Sequence, residues 1–180
     1  MKYKYISGSV LDIPNPERWD SLTQLLEWWP ETFVSGSKNN YGMKLTPYIE
    51  NSKVVANYVF EPRFQGGPGL VHGGILSAVL DDLMGYACVI HDRSCVTAKL
   101  EVNYIVPVPV DDEYLLQAWV KEIDDKKLYL ESSIIKDDVV HIESKGLFID
   151  LGNYPGQLYE RNKNYPVSYT HLRAHETQRN

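Results

Sequence analysis

Two aspartates lie inside an apolar segment that directly follows a histidine and two glycines. The segment starts at His72-Gly73-Gly74, and Asp81 and Asp82 are its only acidic or basic side chains from Gly73 up to residue 90. A carboxylate in an apolar helix is costly unless it is paired, hydrated or used in chemistry. The pattern predicts a helix whose first amides polarise one atom of a ligand and whose embedded acid activates another.

Helical geometry places the two acids on different faces. At 3.6 residues per turn, one wide apolar stripe forms that should pack on a sheet. The stripe consists of Leu76, Val79, Leu80, Leu83, Ala87 and Ile90. Asp81 lies instead on a face of small residues, where a ligand or a second backbone can come close. That face also carries Gly74, Ser77, Gly85 and Cys88. Asp82 lies on the far flank, which favours a structural role for it and a chemical role for Asp81.

The first amides of this helix could bind a developing negative charge. The first four N–H groups of a helix have no acceptor within it, and the helix dipole adds a positive partial charge. Gly73 and Gly74 let a ligand approach the backbone without a Cβ in the way. A thioester carbonyl that gains oxyanion character during reaction suits such a site.

Distance constrains how the amide and the acid could cooperate. Gly73 and Asp81 are eight residues apart. On a helix this is about 12 Å, so one chain cannot bring both groups to one carbon. If both act on the same bond, Gly73 must face the partner's Asp81 across a two-fold axis. The sequence predicts an obligate homodimer, provided that both groups are functional.

Six strand-like segments surround the helix, which is predicted from about residue 71 to residue 90. Each segment alternates apolar and polar residues or is bounded by turn-forming residues. They are residues 41–47, 53–60, 95–106, 113–123, 127–136 and 139–151. Acidic dipeptides between the last segments predict a meander of hairpins. The order predicts an α+β fold, with an antiparallel sheet of about five to six strands around one long helix.

The two ends of the chain differ from this central part. Residues 1–40 form an N-terminal extension, in which Asn15-Pro16-Glu17 and Pro30 predict an extra helix over residues 16–29. Residues 41–152 form the single predicted domain, and residues 153–180 form a tail without apolar periodicity. Residues 167–180 resemble translated sequencing-adapter read-through, and a native disordered tail is the alternative.

Composition argues against several classes of protein. A formal charge of −6 without a basic stripe argues against nucleic acid as a partner. The chain shows no uncharged apolar run long enough for a membrane span and no secretory signal at its start. Two cysteines without a signal indicate a reduced, cytoplasmic protein. His91 and His141 lack ligand-like spacing, so we expect neither a metal nor a cofactor.

Two segments at a fixed separation resemble one protein family. Asp81 follows the second glycine of His72-Gly73-Gly74 by seven positions, and residues 96–107 end in an aromatic residue and a proline. This pattern resembles the hotdog-fold acyl-CoA thioesterases, in the phenylacetate-degradation-type (PaaI-like) and human thioesterase-superfamily branch. The resemblance covers residues 53–150. It implies a long helix wrapped by an antiparallel sheet, active sites at a homodimer interface, and common pairing of dimers into homotetramers.

The resemblance also assigns roles to four residues. Asp81 would be the general base or the nucleophile that acts on an acyl-CoA thioester. The Gly73 amide would polarise the thioester carbonyl. Thr97, on the strand after the helix, would orient the acid or a water molecule. His72 would lie near the thioester, either contacting the substrate or only holding its loop.

Three further residues are candidate substrate contacts, namely Gly74, Gln65 and Asn103. Several family members carry Asn or Gln a few residues before the His-Gly-Gly, in contact with the thioester. Strict spacing puts Gly66 at that position, and Gln65 is one residue away. The substitution of Gln65 for the family amide would require a shift of the loop.

Three functions compete at this point. The first is hydrolysis of an acyl-CoA thioester to free acid and CoA. The second is a non-catalytic acyl-CoA-binding protein of the same fold, and the third is a hotdog dehydratase that acts on a hydroxyacyl thioester. The retained acid and the missing DNA-binding module favour the hydrolase over a sensor. Dehydratases of this fold usually pair a histidine and an acid in other spacings, so this function ranks last.

Overall fold

The computed structural model describes residues 30–91 and 93–152, together with the backbone of two short N-terminal strands. In chain order the strands are Tyr3–Lys4 (β1), Thr23–Leu25 (β2), Tyr48–Glu50 (β3), Lys53–Val59 (β4), Gln65–Gly67 (β5), Leu70–Val71 (β6), Cys95–Tyr104 (β7), Glu113–Asp124 (β8), Lys127–Lys136 (β9) and Val139–Asp150 (β10). A helix, α1, spans Gly73–Val89, and a 3₁₀ turn spans Pro62–Phe64.

Helix α1 packs on one face of a large sheet. Among the described residues this sheet has eight strands in the order β1-β2-β3-β4-β8-β9-β10-β7. Six neighbouring strands of this sheet pair antiparallel throughout, namely β3, β4, β8, β9, β10 and β7. A long helix wrapped by an antiparallel sheet is the hotdog fold, so the predicted fold class is confirmed. Strands β1 and β2 extend the sheet beyond the expected six strands.

Polar turn residues close the hairpins, as predicted for the acidic dipeptides between the last segments. Asn51 and Ser52 join β3 to β4 with φ of 49° and 60°, and Asp137 and Asp138 join β9 to β10 with φ of 50° and 61°. Two successive residues of positive φ match the right-handed twist of the flanking strands. Asn and Asp tolerate this backbone conformation better than other residues with a side chain.

The core lies between α1 and the inner face of the sheet. All six residues of the predicted apolar stripe are buried, from Leu76 at 3% exposure to Ile90 at 0%. Gly146 on β10 lets the helix come close, because a Cβ there would lie 2.5 Å from Met84 Sδ and 2.8 Å from Phe148 Cε2. The buried stripe therefore fixes the rotation of α1 against the sheet and keeps both acids out of the face that packs on the core.

The structure corrects the sequence prediction near the N-terminus. Thr23–Leu25 is a strand paired with β3, so the helix predicted over residues 16–29 is wrong for these three residues. Their backbone groups complete the outer edge of β3, whose other edge pairs with β4. The rest of that helix and the tail from residue 153, including residues 167–180, lie outside the described residues.

Two strand predictions also differ from the structure. Residues 41–47 form no strand, because the Met43 and Leu45 amides donate to the carbonyls of Phe33 and Val34 in the preceding turn, at 2.8 and 2.9 Å. Strand β7 forms no hairpin with β8. The link of residues 105–112 contains Pro107 and Pro109 and crosses over to β8, so β7 pairs with β10 instead.

Within residues 30–91 and 93–152, no helix is both long and apolar enough to cross a membrane.

Candidate active site

Helix α1 begins with an amide that its own chain leaves free. His72 is the N-cap, and its Nδ1 accepts the Gly74 amide at 2.9 Å. The Ile75 and Leu76 amides both donate to the His72 carbonyl, at 2.9 and 3.2 Å. Of the first four amides of the helix, only that of Gly73 has no acceptor among the described residues. This N–H is therefore available to an oxygen of a ligand.

The capping contact also decides what His72 and Gly74 can do. Nδ1 of His72 already accepts the Gly74 amide, so this ring nitrogen is not free to contact a ligand. The Gly74 amide is already used by this cap, so the structure gives no support to its predicted contact with substrate. His72 caps the start of the helix, and the residue is exposed to solvent.

Strand β7 brings Thr97 against Asp81. The Thr97 hydroxyl donates to Asp81 Oδ1 at 2.7 Å. The other carboxylate oxygen has no partner among the described residues. One turn further along α1, a Cβ added to Gly85 would meet no heavy atom within 4 Å. The part of the small-residue face around Asp81 and Gly85 is thus open, and a water molecule, a substrate or a second chain can reach the acid. Cys88, on the same predicted face, is buried.

Asp82 lies in a different environment from its neighbour. Its Oδ2 is buried without a hydrogen-bond partner, and Ser35 from the segment before β3 hydrogen bonds to its side chain. Burial raises the pKa of Asp82 from 3.8 to about 6, the Ser35 bond lowers it in part, and the charge of Asp81 raises it further. This placement agrees with the structural role expected for Asp82.

The loop before α1 differs from the family pattern for a steric reason. At Gly66, a Cβ would lie 2.8 Å from His72 Cδ2 and 2.9 Å from His72 Cα. No side chain fits there while His72 caps the helix. Gln65 uses its Oε1 to accept the Gly69 amide at 3.0 Å, which braces the loop. Its Nε2 has no partner in the described part of the chain and can still donate to a ligand.

Asn103 does not join this cluster. Its side chain donates to Glu143 Oε1 at 3.2 Å across the β7–β10 pair. Its neighbour Tyr104 reaches α1, and successive strand residues point to opposite faces, so Asn103 lies on the sheet face away from the helix. Strand alternation thus turns Asn103 away from Gly73 and Asp81, and the structure does not bring it together with them.

Tyr104 contacts the start of α1, a contact that the sequence did not indicate. Its hydroxyl lies 2.8 Å from the Gly73 carbonyl oxygen and 2.6 Å from Ser77 Oγ. The sequence placed Tyr104 on a strand, but only the path of β7 along α1 shows that it meets the helix start. The alternation of residues along β7 indicated which face of the strand Tyr104 takes, but not which helix residue its side chain would contact.

Strand β7 is also a free edge of the sheet. Within the part of the chain that the structure describes, it is the last strand in the order and pairs with β10 on one side only. Apolar side chains are exposed along it and just beyond it, with Val96 at 47% and Tyr104 and Ile105 at 54% each. A long strand with unpaired backbone groups and exposed apolar side chains is a template for pairing with another chain.

Comparisons with known proteins show which family the chain resembles. Residues 68–142 match the family model described as the thioesterase superfamily. A protein described as a member of this superfamily has a crystal structure that aligns with a TM-score of 0.63 and 26% identity, over 66% of this chain and 62% of that one. The E. coli PaaI protein aligns with a TM-score of 0.57 over 61% of this chain and 81% of its own, and its 16% identity shows the fold alone.

Curated relatives carry more specific names. Acyl-coenzyme A thioesterase THEM4 of Bos taurus is 26% identical over 125 residues, which make up 67% of this chain and 52% of that protein. The Mus musculus THEM4 is 32% identical over 48% of this chain and 38% of its own length. The chain thus spans about half or less of these relatives. The resemblance to hotdog-fold thioesterases that the motifs indicated is confirmed.

Proposed function

We propose that this protein hydrolyses an acyl-CoA thioester to the free acid and CoA. The observation that carries the proposal is the pairing, on one helix, of the free Gly73 amide with a carboxylate that Thr97 holds by one oxygen. The names of the THEM4 relatives supply the substrate class. The thioesterase superfamily match covers all three residues.

The chemistry follows from what each group can donate or accept. A water molecule attacks the thioester carbonyl carbon while the free oxygen of Asp81 accepts its proton. The carbonyl oxygen becomes an oxyanion, which the Gly73 N–H stabilises together with the positive end of the helix dipole. Collapse of this intermediate breaks the carbon–sulfur bond, and the proton passes from Asp81 to the departing thiolate. In the nucleophilic alternative, Asp81 attacks the carbon itself and expels the CoA thiolate. Water then hydrolyses the resulting anhydride to the free acid, which restores the Asp81 carboxylate and supplies the proton for the thiolate.

The proposal places each site between two copies of the chain. Gly73 and Asp81 are eight residues apart in α1, about 12 Å along the helix axis, which is too far for one carbon to contact both. The open face at Gly85 and the free edge of β7 provide surfaces that a second copy can cover. In such a homodimer, Gly73 of one protomer faces Asp81 of the partner subunit.

The proposal is tested by the release of free CoA thiol from short, aromatic and long acyl-CoAs. Asp81→Asn should lower kcat/KM by about 100-fold or more, because general-base catalysis contributes about 10² to 10⁴. Asp82→Asn is the matched control, since it neutralises the neighbouring acid that faces Ser35 and should lower the rate far less. Hydrolysis that survives Asp81→Asn would contradict the assignment.

One observation favours binding without turnover as the second candidate. Gly66 stands where family members carry a side-chain amide, and Gln65 already uses its oxygen within the loop. Calorimetry with a non-hydrolysable acyl-CoA analogue distinguishes the two functions. If the wild-type protein binds the analogue tightly but releases no thiol from any acyl-CoA, it is a binding protein and not a hydrolase.

A further inference from the structure

The hydroxyl of Tyr104 forms part of a small cluster at the start of α1. Three contacts join it, namely Tyr104 Oη to the Gly73 carbonyl at 2.8 Å, Ser77 Oγ to the same carbonyl at 3.1 Å, and the two hydroxyls to each other at 2.6 Å. Two hydroxyl protons cannot serve three contacts. The distances favour a chain in which Ser77 donates to Tyr104 and Tyr104 donates to Gly73. Such a chain strengthens each bond in it.

This chain and the His72 cap hold both ends of one peptide group. The carbonyl of the Gly73–Gly74 peptide accepts from Tyr104, and its N–H donates to His72 Nδ1 at 2.9 Å. The preceding peptide is held by its carbonyl, which accepts the Ile75 and Leu76 amides. Both dihedral angles at Gly73 are therefore fixed. Two successive glycines would otherwise give the helix start more backbone freedom than any other pair of residues.

We propose that Tyr104 is a positioning residue for the oxyanion site: it clamps the Gly73 carbonyl so that the Gly73 N–H is aimed before the substrate arrives. The inference rests on the proposed thioester hydrolysis. Amide donors stabilise an oxyanion strongly only when they are already oriented and need no reorganisation during the reaction. Gly73 is itself suited to the clamp, since a Cβ there would lie 3.3 Å from the Tyr104 hydroxyl.

The same strand serves both functional groups of the helix. Strand β7 runs opposite to α1, so Thr97 meets Asp81 in the middle of the helix and Tyr104 meets Gly73 at its start. In the proposed dimer these two groups belong to different sites. Each β7 then orients the acid of one site and the amide of the other.

The test removes the clamp and compares it with an equivalent hydroxyl elsewhere. Tyr104→Phe should lower kcat for acyl-CoA hydrolysis by about 10-fold with little change in KM, a part of the 10²- to 10³-fold loss typical of removing an oxyanion donor. Tyr58→Phe is the control, because the Tyr58 hydroxyl also donates to a backbone carbonyl, that of Met43, at 2.8 Å. It should leave kcat unchanged.

A double variant separates positioning from a general loss of stability. Gly73→Pro deletes the proposed donor, and proline is well tolerated at the first position of a helix. Its Cβ would lie 3.3 Å from the Tyr104 hydroxyl, which the exposed tyrosine can accommodate by a shift of a few tenths of an ångström. In that background Tyr104→Phe should cause no further loss of kcat, because there is no N–H left to aim. An equal loss in both backgrounds, or an unchanged kcat in Tyr104→Phe alone, would overturn the inference.

Hydrogen exchange tests the clamp without any turnover. In Tyr104→Phe the Gly74 amide should exchange at least 10-fold faster, and in Tyr58→Phe it should not change. Unchanged Gly74 exchange in Tyr104→Phe contradicts the clamp even if the enzyme is active. Faster exchange in a protein that hydrolyses no acyl-CoA supports the clamp and rejects the hydrolysis, so the two proposals fail separately.

Discussion

Thr97 restrains the one oxygen of Asp81 that the structure shows in a hydrogen bond. Thr97→Val keeps the shape of the side chain and removes the donor. Hydrogen bonds to charged groups contribute about 1.5–3 kcal/mol. We therefore expect kcat to fall by about 10-fold or more, and Thr97→Ser, which keeps the hydroxyl, to lose much less. Steady-state hydrolysis of one good acyl-CoA substrate measures the difference. Equal losses in the two variants would mean that the hydroxyl does not orient the acid.

Asp82 should make the stability of the protein depend on pH. Burial raises its pKa in the folded state from 3.8 to about 6, so between these values the folded chain holds a proton that the unfolded chain has lost. The free energy of unfolding therefore falls as pH rises through this window and stays lower above pH 6, by up to about 3 kcal/mol for this shift.

Urea unfolding of the wild type and of Asp82→Asn at pH 4.5 and pH 7.5 measures this contribution. Asparagine does not ionise, so the variant should gain stability relative to the wild type at pH 7.5 and much less at pH 4.5. When the free energies of unfolding of the two proteins are subtracted at each pH, the contributions of all other titrating groups cancel. A variant that is destabilised equally at both pH values would show that burial does not raise the pKa of Asp82.

At the scale of elements, the site depends on how closely α1 approaches β10. Gly146→Ala places a Cβ 2.5 Å from Met84 Sδ, so the side chains between helix and sheet must move. Overpacking of this kind costs about 1–3 kcal/mol, and we expect the urea midpoint to fall accordingly. Gly67→Ala is the control, because a Cβ there meets nothing within 4 Å. Equal midpoints for the two variants would contradict the close packing of α1.

At the scale of the whole molecule, the two halves of the site should complement each other between chains. Gly73→Pro and Asp81→Asn should each be nearly inactive as homodimers. Unfolded together and refolded at equal ratio, they should regain roughly a quarter of wild-type activity, because half of the dimers are mixed and each has one intact site. Light scattering checks that the species is a dimer or a pair of dimers. No recovery in a mixed dimer would place both groups in one chain.

The sequence by itself determined the long helix, the hairpin turns and the two acids on different faces. These are local consequences of 3.6-residue periodicity and of which residues tolerate positive φ, so the apolar stripe from Leu76 to Ile90 and the turn at Asp137 were predictable. The contact of Thr97 with Asp81 was also anticipated, because the resemblance to the thioesterase family implied that Thr97 orients the acid or a water molecule.

The tertiary structure alone decided the contacts that depend on strand order and on register. Proline in the link after β7 sends the chain across the fold, so β7 becomes an edge beside β10 rather than a hairpin partner of β8. Strand alternation then turns Asn103 away from the helix and Tyr104 toward Gly73. The alternation of residues along β7 indicates which face Tyr104 takes. Only the pairing of β7 with β10 and its path along α1 decide that the Tyr104 hydroxyl meets Gly73.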